Sequence, residues 1–251
     1  MRCHRTPFLH QFTIPFYILP VLMAWQCSAS SNVQLLNNLR HAGIIKTDRV
    51  FRAMMAVDRG GYVPRNENAY DDSPQPIGYN ATISAPHMHG QMLELLQGHL
   101  QPGSISLDVG SGSGYLTACM AQLVKPEGKV FGVEHIPELN DQALRNIKRA
   151  NSDLFDDNVV ELVVADGRQG LKAHAPYDAI HVGAAAPDVP QELIKQLKNG
   201  GRLVVPVGSN IFGHELMVFD KDQNGRIHSQ SVAAVRFVPL TSRESQLRSE
   251  R

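Results

Sequence analysis

Charge of one sign is what this 251-residue chain lacks most: 24 lysines and arginines stand against 24 aspartates and glutamates, for a formal net charge of zero. A chain with no basic excess carries no electrostatic footprint for a polyanion, so DNA and RNA are not expected partners. Cysteine is scarce as well. Only three occur, Cys3, Cys27 and Cys119, and the first two lie outside the expected core, so no disulfide framework is implied. Repeats and low-complexity tracts are missing. No cysteine or carboxylate cluster completes a four-ligand set around His87 and His89, so no metal is expected. The longest mostly apolar stretch, residues 12–25, is short for a membrane span and is interrupted by Pro15 and Pro20. No stable membrane association is expected from it. It follows Arg2 and Arg5 and precedes small residues, the order found in a secretory signal.

What is present suffices for one α/β core, with 43% hydrophobic residues in a chain of single-domain length. Apolar spacing across residues 31–58 (Val33, Leu35, Leu36, Leu39, then Val50, Phe51, Met54, Met55) predicts two amphipathic helices ahead of the sheet. Residues 63–80, rich in proline, glycine and asparagine, read as a long loop, and long loops in compact domains are usually functional. Strands are expected at 129–134, 159–165, 179–182 and 201–207, with a helix at 187–197. Two more strands, 215–220 and 226–239, are joined through Asn224-Gly225, a hairpin signal. The fold class predicted is α/β, a doubly wound and mostly parallel sheet with N-terminal helices and a C-terminal antiparallel hairpin.

The most informative segment is Leu107-Asp-Val-Gly-Ser-Gly-Ser-Gly114, a short apolar strand that breaks into a glycine turn and enters the helical run 115–124. Glycine serves where the backbone takes positive φ or approaches a ligand closely. Such a turn serves NAD, flavin and methyltransferase sites alike. Its spacing is Gly110-x-Gly112-x-Gly114, and Tyr115 stands where a dinucleotide site prefers the last glycine of Gly-x-Gly-x-x-Gly. Asp108, just before the turn, would repel a pyrophosphate and attract an ammonium group or its water. Glu134 ends the next strand about 24 residues after Gly110, near the ~20-residue offset of a ribose-binding carboxylate. Asp166-Gly167 ends the third strand, where a carboxylate and a flexible backbone suit an adenine amino group. The ligand so described is S-adenosylmethionine, a nucleoside with a sulfonium and an amino acid but no phosphate. The plain alternative is that Glu134 and Asp166 only cap strands or helices; an NAD-linked oxidoreductase is disfavoured by Asp108 and Tyr115.

Ala81-Thr-Ile-Ser-Ala-Pro-His-Met-His89, the glycine turn, Gly167-Arg168 and Tyr177-Asp-Ala-Ile-His-Val-Gly-Ala-Ala-Ala-Pro187 together resemble the protein-L-isoaspartate (D-aspartate) O-methyltransferases, in their animal form. The likeness runs from about Met23 to the C-terminus. It implies a Rossmann-like domain over residues 23–251 that moves a methyl group from S-adenosylmethionine to the α-carboxylate of isoaspartyl residues in damaged proteins and peptides. It also implies Ser84 as the active-site serine, with Ala81, Thr82, Ile83, His89, Ser113, Glu134, His135, Asp166, Gly167, Thr241 and Gln246 at the cofactor, beside Asp108, Gly110 and Gly112 from the turn. Because Met23-Ala-Trp25 resembles the family's own start, residues 1–22 read as an N-terminal extension from an upstream start. The protein is then expected to act in the cytoplasm, as a monomer; the secretory pathway is the alternative. The chain departs from the family pattern with two extra residues within 63–72, with Gly90-Gln91-Met92, and with Ser209-Asn-Ile-Phe212, which bears on peptide affinity and loop geometry.

The chemistry suits these residue types. A carboxyl group with a pKa near 4 is ionised at neutral pH and needs no general base. Its attack on a sulfonium annihilates charge, so a fixed cation beside it would favour the separated ions over the transition state. A neutral hydroxyl such as Ser84 can aim one carboxylate oxygen without that penalty, and in-line alignment can be worth ~7 to 11 kcal/mol. Read without the resemblance, Ser84 is a cap or turn hydroxyl before Pro86. His87 is expected to pack, with His89 near the cofactor. Ala184, Ala185 and Ala186 offer small side chains and reachable backbone to an extended peptide, or equally form a tight strand-to-helix junction. A catalytically degenerate adaptor that binds isoaspartyl proteins is the competing functional class.

Overall fold

The computed structural model describes residues 27–65, 67–209 and 211–248. The N-terminal extension, its signal-like stretch and Cys3 lie outside the described residues.

The two predicted N-terminal helices form as α1 (Asn32–His41) and α2 (Asp48–Ala56), each opened by a hydroxyl that accepts an otherwise unpaired N–H: Ser31 from Gln34 and Thr47 from Val50, both at 3.3 Å. A small hairpin of β1 (Gln75–Gly78) and β2 (Ala81–Ile83) follows, then α3 (Pro86–Leu96). The main body is a seven-stranded sheet. Its central strand β3 (Ile105–Val109) leads through α4 (Tyr115–Val124) to β4 (Lys129–Glu134), then α5 (Pro137–Ala150), the single turn α6 (Asp153–Asp156) and β5 (Val160–Val164). The chain crosses back to β6 (Tyr177–Val182), runs through α7 (Gln191–Lys195) and finishes the sheet with β7 (Leu197–Ser209), β8 (Gly213–Lys221) and β9 (Ile227–Val235) before α8 (Arg243–Arg248). The order is β5-β4-β3-β6-β7-β8-β9, parallel from β5 to β7 and antiparallel over the last two pairings. The predicted class is therefore met.

Strand periodicity sorts the two faces. Leu107, Val109, Phe131, Val133, Ile180 and Val182 share one apolar cluster, covered by α7 and its flanking turns. Val130 and Ala179 point the other way, into the larger cluster built with α1 to α5. Asp108 and His181 are opposed in register on that second side of β3 and β6. The order reverses between β3 and β6, and in open α/β sheets the crevice outside the carboxyl ends at such a reversal is where ligands bind.

Three expectations are corrected. The 63–80 loop contains β1, which pairs with β2 through Tyr79-Asn80, both left-handed at φ 53° and 54° as a two-residue hairpin turn requires. The expected helix 187–197 shrinks to Gln191–Lys195, because Pro187 and Pro190 bias the residues before them away from helical ψ, and Leu197 joins β7 instead. The last strand stops at Val235 rather than at 239. Beyond it, Phe237 donates its N–H to His214 Nδ1 (3.1 Å), Val238 accepts from Ala185 and Leu240 donates to Ala185 (both 2.8 Å), so the chain leaves the sheet and crosses the end of β6.

Gly114 ends the glycine turn as the N-cap of α4 at φ +83°, where an added Cβ would lie 3.1 Å from Ala143 and from Ile147 of α5. A side chain there meets both backbone strain and a closed helix contact. Gly114→Ala is expected to destabilise the fold by about 1 to 3 kcal/mol, read as a lower urea midpoint with an unchanged slope.

Candidate active site

Four amide N–H groups of the glycine turn are already engaged. Gly110 and Ser111 donate to Val133 O (2.8 and 3.1 Å), Gly114 donates to Ser111 O (2.8 Å), and Gly112 donates to a carboxylate oxygen of Glu134 (3.2 Å). The other Glu134 oxygen accepts from Ile136 N–H at 3.0 Å. A phosphate-binding turn needs its amides free and aimed at the anion. This one is consumed by the neighbouring strand and faces a carboxylate, so it is built for a phosphate-free ligand.

Three adjoining cavities open at the carboxyl ends of β3, β4 and β6. An outer cleft is lined by Ala81, Thr82, Gly110, Gly112, Glu134, His135, Gly167, Ala184, Thr241 and Gln246, among others. An inner chamber is lined by Thr82, Ile83, Ser84, His89, Asp108, the turn residues Gly110 to Ser113, Tyr115, Leu116 and His181. A groove runs past Pro74, Thr82, Ser84, His87, Met88 and residues 234–238. Thr82 and Gly183 border all three, and Ser84 borders the chamber and the groove.

The outer cleft is closed from above by the C-terminus. Gln246 donates to Tyr79 O (2.8 Å) in the β1–β2 turn, Asn80 donates to Gln246 O (2.9 Å), and the Gln246 side-chain oxygen accepts from His135 Nε2 (2.8 Å). Residues far apart in sequence thus meet over one cavity.

The floor of the inner chamber is a buried polar cluster. Asp108, 1% exposed, accepts from Thr117 Oγ1 at 2.5 Å and from His181 Nδ1 at 2.7 Å. The fully buried Arg59 donates through Nε to Ala69 O (2.8 Å) and through a terminal nitrogen to His89 Nδ1 (3.3 Å), with its guanidinium 5.7 Å from the Tyr115 ring. Burial lowers the Arg59 pKa to about 10, which leaves it charged at neutral pH. Burial first, and Arg59 second, hold the His89 imidazole well below its ordinary value. His89 is therefore neutral, accepting at Nδ1 and carrying its proton on Nε2. Ser111 Oγ is buried in the chamber wall with no protein partner among the described residues.

The structure thus gathers almost all the residues predicted for the site, with three exceptions. The Asp166 carboxylate is taken by the Arg168 guanidinium (2.6 to 3.1 Å), which lowers its pKa, and only its neighbour Gly167 lines the cleft. Ala185 and Ala186 are buried, and their backbone groups are bonded to Val238, Leu240, Pro206 and Gly208. Of the two readings of that run, the tight junction holds there; Ala184 alone faces the cleft. Sequence reasoning passed over Arg59, Tyr115 as a chamber wall, and His181. A histidine inside the apolar strand Tyr177–Val182 was the one available signal.

The His89 environment predicts acid sensitivity. An unfolded chain protonates this ring near 6.5 while the folded one does not, so its contribution is complete above that value and is lost as pH falls toward the depressed folded value. The expected share is up to about 1.4 kcal/mol per pH unit below pH 6.5. His89→Gln is expected to flatten the slope of stability against pH by that amount in urea melts between pH 7.5 and 5.

Known proteins place this geometry. Residues 30–245 match the family model described as protein-L-isoaspartate(D-aspartate) O-methyltransferase (PCMT). An Arabidopsis thaliana protein-L-isoaspartate O-methyltransferase 1 is 54% identical over 89% of this chain and 96% of its own length. A Caenorhabditis elegans protein-L-isoaspartate O-methyltransferase is 47% identical over 89% of this chain and 98% of its own. The animal form expected from the motifs is not supported, since the plant relative is more similar to this chain than the nematode one. A putative enzyme of the same kind from Plasmodium falciparum, crystallised with S-adenosyl-L-homocysteine, superposes with a TM-score of 0.79 at 36% identity, covering 85% of this chain and 99% of that one. The match over residues 30–245, with relatives near half identity along nearly their whole length, makes the chain a member of the protein-L-isoaspartate(D-aspartate) O-methyltransferase family.

Proposed function

We propose that this protein transfers a methyl group from S-adenosylmethionine to the α-carboxylate of L-isoaspartyl, and D-aspartyl, residues in damaged proteins and peptides, the first step of their repair. The observation that carries the reading is the position of Ser84 on the boundary between an inner chamber walled by buried side chains and the neighbouring groove. Group transfer between a small cofactor and a polypeptide requires two such compartments that meet at one point.

The residues present fit the cofactor. Glu134 stands at the strand end where a ribose is held, in a cleft whose turn amides are closed to phosphate. Gly167, His135, Thr241 and Gln246 surround the remainder of that cleft and suit an adenine ring, with Asp166 bracing the turn through Arg168. Ala81, Thr82, Ile83, Gly110, Gly112 and Ser113 form the passage inward. In the chamber, the His89 Nε2–H, the orphaned Ser111 hydroxyl and the hydrogen-bonded Asp108–His181 pair suit an amino acid carrying both a carboxylate and an ammonium group. Bound S-adenosylmethionine supplies a methyl group on a sulfonium.

Ser84 donates its hydroxyl to one oxygen of the incoming carboxylate and so aims the other. Within the chamber the one cation among the described residues is the shielded Arg59, turned to His89 and Ala69, and the one arginine of the groove lining, Arg236, lies on the C-terminal strand side, away from the chamber residues. That arrangement avoids stabilising separated ions at the expense of the transition state. Alignment and exclusion of water then carry the rate. We place the protein in the cytoplasm as a monomer.

The wild-type protein is expected to transfer a labelled methyl group to an isoaspartyl peptide and not to its aspartyl twin. Equal labelling of the two would overturn the reading, and peptide binding without turnover would favour an adaptor. Ser84→Ala is expected to lower turnover by 10- to 100-fold, on the order of 1.4 to 2.7 kcal/mol, with calorimetric cofactor affinity little changed.

A further inference from the structure

The groove wall holds a second polar pair that the transfer itself does not use. Asp72 has a fully buried side chain, and one of its oxygens accepts from both the backbone N–H and the ring Nδ1 of His87, at 2.9 and 2.8 Å. Its own N–H is fixed by Ser28 Oγ at 2.9 Å. His87 begins the first turn of α3, three residues after Ser84, and both residues line the groove. The histidine expected to pack is thus a wall residue of the groove, with 28% of its side chain exposed.

The direction of the ring follows from these bonds. Nδ1 is turned inward to the buried carboxylate, so the part of the ring left to face the groove is the remainder, which includes Nε2. A carboxylate bonded to Nδ1 fixes the proton there in the neutral imidazole, so Nε2 presents a lone pair to the groove. The same carboxylate also accepts the His87 backbone N–H in the first turn of α3, so the ring is held in one orientation by a group that the helix start already fixes.

An isoaspartyl peptide offers a matching group. Its main chain turns through the side-chain carbonyl, leaving the α-carboxylate as a branch flanked by two backbone N–H groups within a few bonds of it. A neutral acceptor can hold one of those N–H groups without setting a cation beside the nucleophile.

We propose that His87, oriented by Asp72, accepts a backbone N–H of the isoaspartyl peptide and so sets the register that brings the α-carboxylate to Ser84. This rests on the groove being the peptide site, as in the function proposed above. His87 is a binding and specificity residue, and Asp72 positions it.

The test compares wild type with His87→Leu on an isoaspartyl hexapeptide and on two analogues N-methylated at the amide before or after the isoaspartate. In wild type, KM is expected to rise about five- to tenfold for one of the two analogues, the scale of one lost neutral hydrogen bond. His87→Leu is expected to raise KM for the parent peptide by the same factor, to hold kcat within about twofold, and to show no further rise with that analogue. Cofactor affinity, measured by calorimetry on the same samples, should stay unchanged. Should the leucine variant lose the cofactor, His87→Phe restores the ring volume and is read in its place. An unchanged KM in the variant, or the same N-methyl penalty in both proteins, overturns the inference while leaving the methyl-transfer reading intact. Absence of wild-type turnover on the parent peptide would strike that earlier reading instead.

Discussion

Asp108 is buried at the carboxyl end of the central strand with each carboxylate oxygen engaged, one by His181 across the β3–β6 junction and one by Thr117 from the first turns of α4. An unpaired charge at this depth would cost several kcal/mol, so the two partners are conditions of the fold as much as ornaments of the site. They tie together the central strand, the strand on the far side of the reversal, and the helix that leaves the glycine turn. The crevice above that knot is where the chamber opens. Its floor is consequently set by hydrogen bonds that are complete within the protein, with Asp108 held between His181 and Thr117.

The same economy governs the glycine turn. Its amides are consumed by Val133, Ser111 and Glu134, which lets the turn fold tightly without a bound anion and removes the feature by which dinucleotide sites hold pyrophosphate. Glu134 does two things at once, bracing the turn through one oxygen and Ile136 through the other while it faces the outer cleft. The C-terminal segment then covers the cleft because β9 ends early. Once Phe237 gives its N–H to His214, the chain is free to cross β6 and deliver Thr241 and Gln246 overhead.

Much of this was legible in the sequence because it rests on local rules. The alternation of apolar residues in the strands, the glycine spacing, and carboxylates at successive strand ends are written within short windows, and each recurs in the structure. The failures are also local in origin. The helix at 187–197 was overruled by two prolines. Arg59 and His181 escaped notice for a different reason: an arginine between helices or a histidine in a strand carries no signal until burial gives it one. Ala185 and Ala186 were indistinguishable from a peptide platform until residues twenty to fifty-five positions later took their backbone groups.

The sequence by itself determined the class of the sheet, the place of the glycine turn and the kind of ligand that its flanking carboxylates admit. All three depend on short windows of backbone conformation and charge that recur at successive strand ends. Only the tertiary structure decided which of those groups remain available. Packing turned His87 outward against a buried Asp72, closed the alanine run, sealed the turn amides and brought the C-terminus over the cleft. Availability of a polar group is a property of its partners, and those partners come from distant parts of the chain.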